Sequence, residues 1–511
     1  MHNTLKSKKI SPVGYAGLIE LFSIEAIPHY RLSYILAQGS PGNSMEEGIE
    51  IHCYPKKYFL KDFNNPLHHL EFALKYDGLN LEILRAVFEK IEPKKIEDHV
   101  QSQPTSKWAR KIWYLYEWLT GRTLLIEDAN EGSYSLLLDP TEYYTASAIR
   151  SRRHYVDDNL LGNRLFCPIV RRTPELQQWQ DKDFSSIAIQ LINESDPAIV
   201  ARAINYLYVK ETFSSYKIER EQPNLARSKR FIDALQHAGK ISALSKKSLI
   251  ELQNLIVDPR FANNDYRNFQ NYIGSEARLD APSLLIDYIP PKPEDVEPLM
   301  AGWLDSLQRM IKSDLHPVIA AAASSFGFVF IHPFEDGNGR IHRFLIHYLF
   351  AQSGFVPKNM IFPISAVILQ DMASYDSLLE SFSKPLMQLI KNYEINFQGA
   401  LQVNDKTADY YRYLDYTRFA GFLFACVEKT INTEFKNEIA FVAHYDQTKE
   451  ALQKIVDMPD RNIDLFIQLV LQNRGTLSAK KRQSHFASLT ENEIQQMEAV
   501  VQEKMAIRNP S

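Results

Sequence analysis

The sequence predicts a mainly α-helical protein in three consecutive parts: a mixed α/β region over residues 1–185, a strongly helical core over 186–395 and a helical unit over 396–511. Apolar residues recur at three- and four-residue spacing from about residue 190 onward. Strict alternation, the mark of a strand with one buried face, is confined to Ile49, Ile51 and Cys53. Hydrophobic residues make up 45% and charged residues 23% of the 511, an ordinary soluble composition, and a chain this long holds about three domains.

In the first part, residues 66–91 read as helical and are broken at Gly78. Residues 107–119 carry Trp108, Trp113, Tyr116 and Trp118, an aromatic stripe of the kind that fills a core. Residues 131–185 read as irregular, and the SRRHY cluster at 151–155 reads as a solvated basic loop. No function follows for residues 1–185.

In the core, Ser195 or Asp196 caps a helix that begins at Pro197 and runs towards Glu221. Further helices are expected at 228–238, 245–255, 294–310, 316–331, 340–352 and 371–395, with loops and short strands over 265–293. In the last part, Ile463, Phe466, Ile467, Val470 and Leu471 share a helical face, Gly475 breaks the chain, and Thr490 with Glu493 forms a capping box. The SAKKR run at 478–482 could place a DNA-binding helix pair there, but a helical bundle with a solvated basic loop is the simpler reading.

The formal net charge of −4 excludes a globally basic nucleic-acid binder. Cys53, Cys167 and Cys426 are far apart and form no CxxC pair, which supports neither a disulfide framework nor a thiolate zinc site. That cysteine usage fits a reducing compartment. The first twenty residues lack a signal-peptide core, and stretches such as 419–427 and 463–471 fall well short of the about twenty residues a membrane span needs. The expected location is cytoplasmic, with no membrane partner.

One segment carries chemistry: Ile331-His332-Pro333-Phe334-Glu335-Asp336-Gly337-Asn338-Gly339-Arg340-Ile341-His342-Arg343. The apolar, Ala-rich stretch before it reads as a buried helix, and Ile341, Leu345, Tyr348 and Leu349 make the stretch after it a packed one. Between them Gly337, Asn338 and Gly339 form a tight loop whose backbone N–H groups, with the next helix N-terminus, make an anion cradle. Arg340 and Arg343, read as lying in the first helical turn, oppose the helix dipole by about 0.3–1 kcal/mol each unless an anion sits in front. A polyphosphate is the natural anion, because guanidinium forks grip its oxygens. Asp336 beside phosphates calls for a bridging Mg²⁺. His332, at the mouth of the loop, is a base that accepts a proton near neutral pH. Together these parts describe transfer of a phosphate-containing group to a hydroxyl.

His332 to Arg343 resembles the Fic family signature HxFx(D/E)GNGRxxR and matches all eight defined positions. The resemblance extends over about 190–395. It implies an all-helical catalytic core that transfers AMP from ATP, with Mg²⁺, to a Ser, Thr or Tyr hydroxyl of a target protein. By that likeness His332 deprotonates the hydroxyl, Phe334 anchors the loop and Asp336 holds Mg²⁺. Gly337, Asn338 and Gly339 line the phosphate cradle, and Arg340 and Arg343 bind the β and γ ends. Residues 271–288 resemble the family's target-docking flap, and Tyr375 lies where some relatives contact adenine, although core packing weighs more there. Relatives with altered loops transfer other groups. UMP or phosphocholine transfer, removal of AMP, and a nucleotide-sensing regulator that catalyses nothing stay open as alternatives. Homo-oligomers are common among relatives.

Upstream, Ser215 and Glu219 stand four apart, one helical turn. They resemble the inhibitory motif (S/T)xxxE(G/N) of Fic proteins, in which the Glu pairs with the second signature arginine, here Arg343. Such a carboxylate competes with the γ-phosphate for one guanidinium. Arg220 stands where that motif has Gly or Asn.

Overall fold

A helix that is apolar all round has to be covered all round. Pro317–Ile331 is such a helix, buried along nearly its whole length. Pro317 suits its first position, and the His316 ring accepts from Val318 N at 3.2 Å. It packs against the helices Pro293–Ile311 and Asn338–Gln352, and buried Trp303 donates its Nε1–H to Ser324 O at 2.8 Å. The Asn338–Gln352 helix is also buried on nearly every side, not only on the face that its apolar residues mark.

The computed structural model describes residues 10–38, 40–276, 284–396 and 398–505. It is mainly helical, with 58% helix and 10% strand, as the sequence predicts. The strands lie in small sheets. β1 (Ile10–Val13), β2 (Arg31–Leu36), β3 (Gly42–Glu46) and β4 (Ile49–Tyr54) form one sheet in the order β1-β2-β4-β3. The pair β2–β4 is parallel and the other two pairs are antiparallel. Only β4 announces itself by alternation. β5 (Ser135–Leu136), β6 (Ile149–Ser151) and β7 (Val156–Asp158) make a second sheet, which carries the SRRHY turn. β8 (Ile273–Glu276) pairs antiparallel with β9 (Leu284–Tyr288). This is the hairpin that the flap resemblance calls for, with residues 277–283 outside the described range.

The expected helix at 371–395 is shorter than its pattern suggests. Met372–Leu389 is helical, and then β10 (Tyr393–Ile395) pairs antiparallel with β11 (Leu401–Val403). The reason is local. The Asp405 carboxylate accepts from Lys391 N at 2.8 Å and Asn392 N at 2.9 Å, taking the N–H groups a continuing helix would use. Gly399 at φ +80° then closes the turn.

The chain resolves into two compact units that interleave along the sequence. The first comprises Met1–Lys182, Pro223–Phe355 and Asp371–Phe424, and the second Asp183–Gln222, Val356–Gln370 and Ala425–Ser511. In the second unit Asp196 caps the helix Pro197–Ile218, accepting from Ala198 N at 2.8 Å and Ile199 N at 3.2 Å. That helix packs on Lys436–Ile455, and Lys210 reaches Glu434 at 2.7 Å. The last helix, Glu491–Lys504, starts at the Thr490–Glu493 capping box. Among the described residues no helix is long and apolar enough to cross a membrane.

Candidate active site

The buried Pro317–Ile331 helix stops at Ile331 for two reasons. His332 turns left-handed, with φ 53° and ψ 58°, and Pro333 has no N–H with which to continue. His332 N still donates to Phe328 O at 3.0 Å, closing the helix with a left-handed cap. That conformation costs a non-glycine residue about 1–2 kcal/mol, so something must hold it. Arg267 does. Its N–H donates to Pro333 O at 2.8 Å and its Nε–H to His332 O at 2.8 Å. The same guanidinium donates to Phe269 O at 2.9 Å and Pro291 O at 2.5 Å. Burial pulls its pKa down to about 10, which leaves it charged at neutral pH.

The imidazole is oriented as well. His332 Nδ1 lies 3.1 Å from Val329 O. A carbonyl only accepts, so Nδ1 carries the hydrogen and Nε2 carries the lone pair. In that tautomer Nε2 is the nitrogen that can accept a proton.

Past His332 the loop closes on itself. Asn338 Oδ1 accepts from Phe334 N at 3.0 Å, and Asn338 Nδ2 donates to Phe334 O at 2.8 Å. Phe334 is fully buried, edge-on to Tyr266. Gly337 has φ +91°, and a Cβ there would sit 2.9 Å from Val257 Cγ1. Both facts require glycine. Gln253, buried in the helix Lys246–Ile256, donates to Asp336 O at 3.2 Å and so braces the loop from behind.

The next helix begins at Asn338 with Gly337 as its N-cap, and no side chain caps it. Its first-turn N–H groups are left open, and with the helix dipole they can receive an anion. Arg340 lies in that first turn, as expected, but Arg343 falls one turn later, because the helix starts two residues before Arg340. Both side chains are buried. Arg340 Nη2 donates to Asp336 Oδ1 at 2.5 Å, and Gly337 N donates to the same oxygen at 2.6 Å. Sequence spacing alone assigned Asp336 to a cation and did not anticipate this i,i+4 pair. The Asp336 side chain remains 36% exposed, so a shared cation can reach it. Among the described residues no three His, Cys, Asp or Glu side chains converge on one point. A lone carboxylate of this kind suits Mg²⁺ that takes its other ligands from phosphates and water.

Tyr375 is buried, stacked on His342 at 6.3 Å and tilted on Phe326 at 6.4 Å, a core position. His342 is buried too, and burial, with Arg343 adding to it, pushes its pKa down to about 3. It is therefore neutral at ordinary pH. Ser215 is buried within the second unit's Pro197–Ile218 helix, and Glu219 is that helix's exposed C-cap. Arg220 follows at φ +57°. Arg220 N donates to Lys217 O at 2.9 Å and Glu221 N to Tyr216 O at 3.0 Å, a Schellman ending built without glycine. Sequence reasoning missed Arg267 and Gln253. Both act on backbone carbonyls from far along the chain, and no local spacing marks such a role.

A histidine, an uncapped helix N-terminus, two buried guanidiniums and a partly exposed carboxylate thus lie within twelve residues of a helical core. Residues 243–350 match the model of the Fic/DOC family, and the chain carries a Fic/DOC domain there. Curated relatives include the protein adenylyltransferase Fic of Drosophila willistoni, 27% identical over 225 residues, 39% of this chain and 42% of that protein. The protein of the same name from Nematostella vectensis is 44% identical over 71 residues, 14% of this chain and 17% of that one. The chain thus spans less than half the length of these relatives. Among solved structures, a Fic domain containing signaling protein from Bacteroides thetaiotaomicron superposes with a TM-score of 0.35 at 18% identity, over 52% of this chain and 96% of that one.

Proposed function

We propose that this protein is a protein adenylyltransferase, with the catalytic part in the 186–395 core, that moves AMP from ATP to a Ser, Thr or Tyr hydroxyl of a target protein. The observation that carries this reading is the hydrogen bond from His332 Nδ1 to Val329 O, which makes Nε2 the basic nitrogen. In the proposed step Nε2 takes the hydroxyl proton and the hydroxyl oxygen forms a bond to the α-phosphorus. The bond from that phosphorus to the bridging oxygen breaks, and pyrophosphate leaves. The N-terminus of the Asn338–Gln352 helix, with Gly337, Asn338 and Gly339, cradles the phosphates, and Arg340 and Arg343 clamp their far end. Asp336 would hold Mg²⁺, which offsets the phosphate charge when bound. The relatives' name, protein adenylyltransferase, supports AMP as the group transferred. The cytoplasm is the compartment proposed.

We further propose that Glu219, with Ser215, restrains the enzyme by competing with the γ-phosphate for Arg343. The support is the motif spacing and the exposed position of Glu219 at a helix end. The test is incubation of wild type, Glu219→Gly and His332→Ala with labelled ATP, Mg²⁺ and lysate, followed by mass identification of the adduct. Label should rise in Glu219→Gly and vanish in His332→Ala. Well-folded Glu219→Gly that labels nothing would sink the transferase reading. Equal labelling in wild type and Glu219→Gly would sink the restraint alone.

A further inference from the structure

The turn between β6 and β7 brings together three side chains that the core chemistry does not use: Ser151, His154 and, from the helix Lys107–Thr120, Glu117. Ser151 and His154 belong to the SRRHY run, which reads from sequence as a solvated loop. In the structure His154 is buried and Ser151 is half-buried. Ser151 Oγ lies 2.7 Å from His154 Nδ1, and His154 Nε2 lies 2.9 Å from Glu117 Oε2.

The direction of the protons follows from the carboxylate end. Burial acts to raise the pKa of Glu117, but hydrogen bonds from His154, Arg153, the Trp113 indole and Leu124 N outweigh it and hold the value at about 2. Glu117 is therefore ionised and can only accept. His154 Nε2 carries a hydrogen, the lone pair of the neutral ring falls on Nδ1, and the Ser151 hydroxyl donates to it. The ring has little room to turn, with Trp113 edge-on at 4.6 Å and Tyr114 edge-on at 5.3 Å. Glu117 is fixed in its turn by Trp113 Nε1–H at 2.8 Å, Leu124 N at 2.9 Å and the Arg153 guanidinium at 3.0 Å. Packing does not call for the serine. Those donors satisfy Glu117 without it, and a half-buried hydroxyl can bond to water. A hydroxyl on an imidazole that an ionised carboxylate orients is the arrangement that activates a serine. The two ring nitrogens are used in the opposite sense to the familiar triad, and the proton path is the same. Ser151 is the last residue of β6 and partly open to solvent, which suits small acyl groups that are already reactive.

We propose that Ser151 is the nucleophile of a second, hydrolytic activity towards small activated carboxylic esters, with His154 as its base and Glu117 as the positioning residue. Ser151 Oγ bonds to the ester carbonyl carbon as its proton passes to His154 Nδ1. The bond from that carbon to the alcohol oxygen breaks, and the alcohol leaves with the proton. Water then attacks the acyl-serine by the same route, which frees the acid and restores Ser151. The test uses the full chain with a fluorophosphonate probe, which reacts with activated serines, and with p-nitrophenyl acetate. Peptide mapping should find the probe on Ser151. Enzyme-dependent ester hydrolysis should fall about a hundredfold in Ser151→Ala and in His154→Gln, and labelling of Ser151 should slow as much in His154→Gln. Ser151→Ala removes one half-buried hydroxyl and should keep the thermal midpoint within about 2 °C, so its loss of hydrolysis is not a loss of fold. Ser151 left unlabelled in the wild type overturns the proposal. So does Ser151 labelled equally fast in His154→Gln, or hydrolysis that Ser151→Ala leaves unchanged. None of these measurements uses ATP, so their outcome is separate from that of the transferase reading.

Discussion

Two helices in this protein end on a residue that avoids the left-handed region. Pro317–Ile331 ends on His332 at φ +53°, and Pro197–Ile218 is followed by Glu219 and then Arg220 at φ +57°. The local hydrogen bonds are equally regular, but the support is not. His332 is held by the Arg267 Nε–H on its carbonyl, by the Arg267 N–H on the next carbonyl, and by Val329 O on its ring. Arg220 is described by its own Schellman bonds. Strain kept under tertiary hold places a side chain for work. Strain at an exposed turn is a cost that a glycine would remove.

The largest expected effect separates the two ends. His332→Ala should lower transfer by about a hundred- to ten-thousand-fold in a labelled-ATP assay, the range for loss of a positioned base. His332→Gly should lose as much while keeping the turn. A modest loss in either would mean that the left-handed cap serves folding alone.

The second effect tests the buried side of the same loop. The folded-state pKa of His342 is about 3 against an ordinary 6.5, so the native state binds fewer protons than the unfolded chain between those values. Stability therefore rises with pH across that window and is lost as pH falls from about 6 towards 3, by on the order of 4 kcal/mol. Denaturant titrations of wild type and His342→Phe should diverge below pH 6, with the variant less acid-sensitive. Parallel curves would break the expectation.

Third, Arg267→Met strips the donor from three carbonyls and should destabilise the fold by about 3 kcal/mol, with a matching drop in kcat. Nucleotide affinity should change much less, because the anion site is built by other residues. Equal losses in binding and turnover would show that Arg267 supports the whole loop and not chiefly the histidine. The smallest effect is Arg220→Gly, which should stabilise the protein by about 1 kcal/mol in chemical denaturation. Destabilisation there would mean that Arg220 is held by more than its turn.

The local elements around the candidate site were legible in the sequence. The two buried helices, the Gly337-Asn338-Gly339 loop and the order of base, carboxylate and arginines follow from spacing and from what phosphate chemistry needs. Arg267 was not legible, because it lies 65 residues from His332 and works through backbone carbonyls that every residue has. Gln253 is hidden for the same reason. The helical pattern of 371–395 misled at its end, since Asp405 captures the N–H groups of Lys391 and Asn392 from downstream. In the first region, β1 to β3 carry mixed or exposed faces, and only β4 alternates.

Asn338 has a consequence of its own. By clasping both polar groups of Phe334, it closes residues 334–338 into a small ring. Under the proposed function, little conformational freedom is then left to lose on binding a triphosphate. Capture should resemble the docking of two rigid bodies, governed by encounter and charge, and replacing Asn338 with leucine should slow it by making the loop search for its shape.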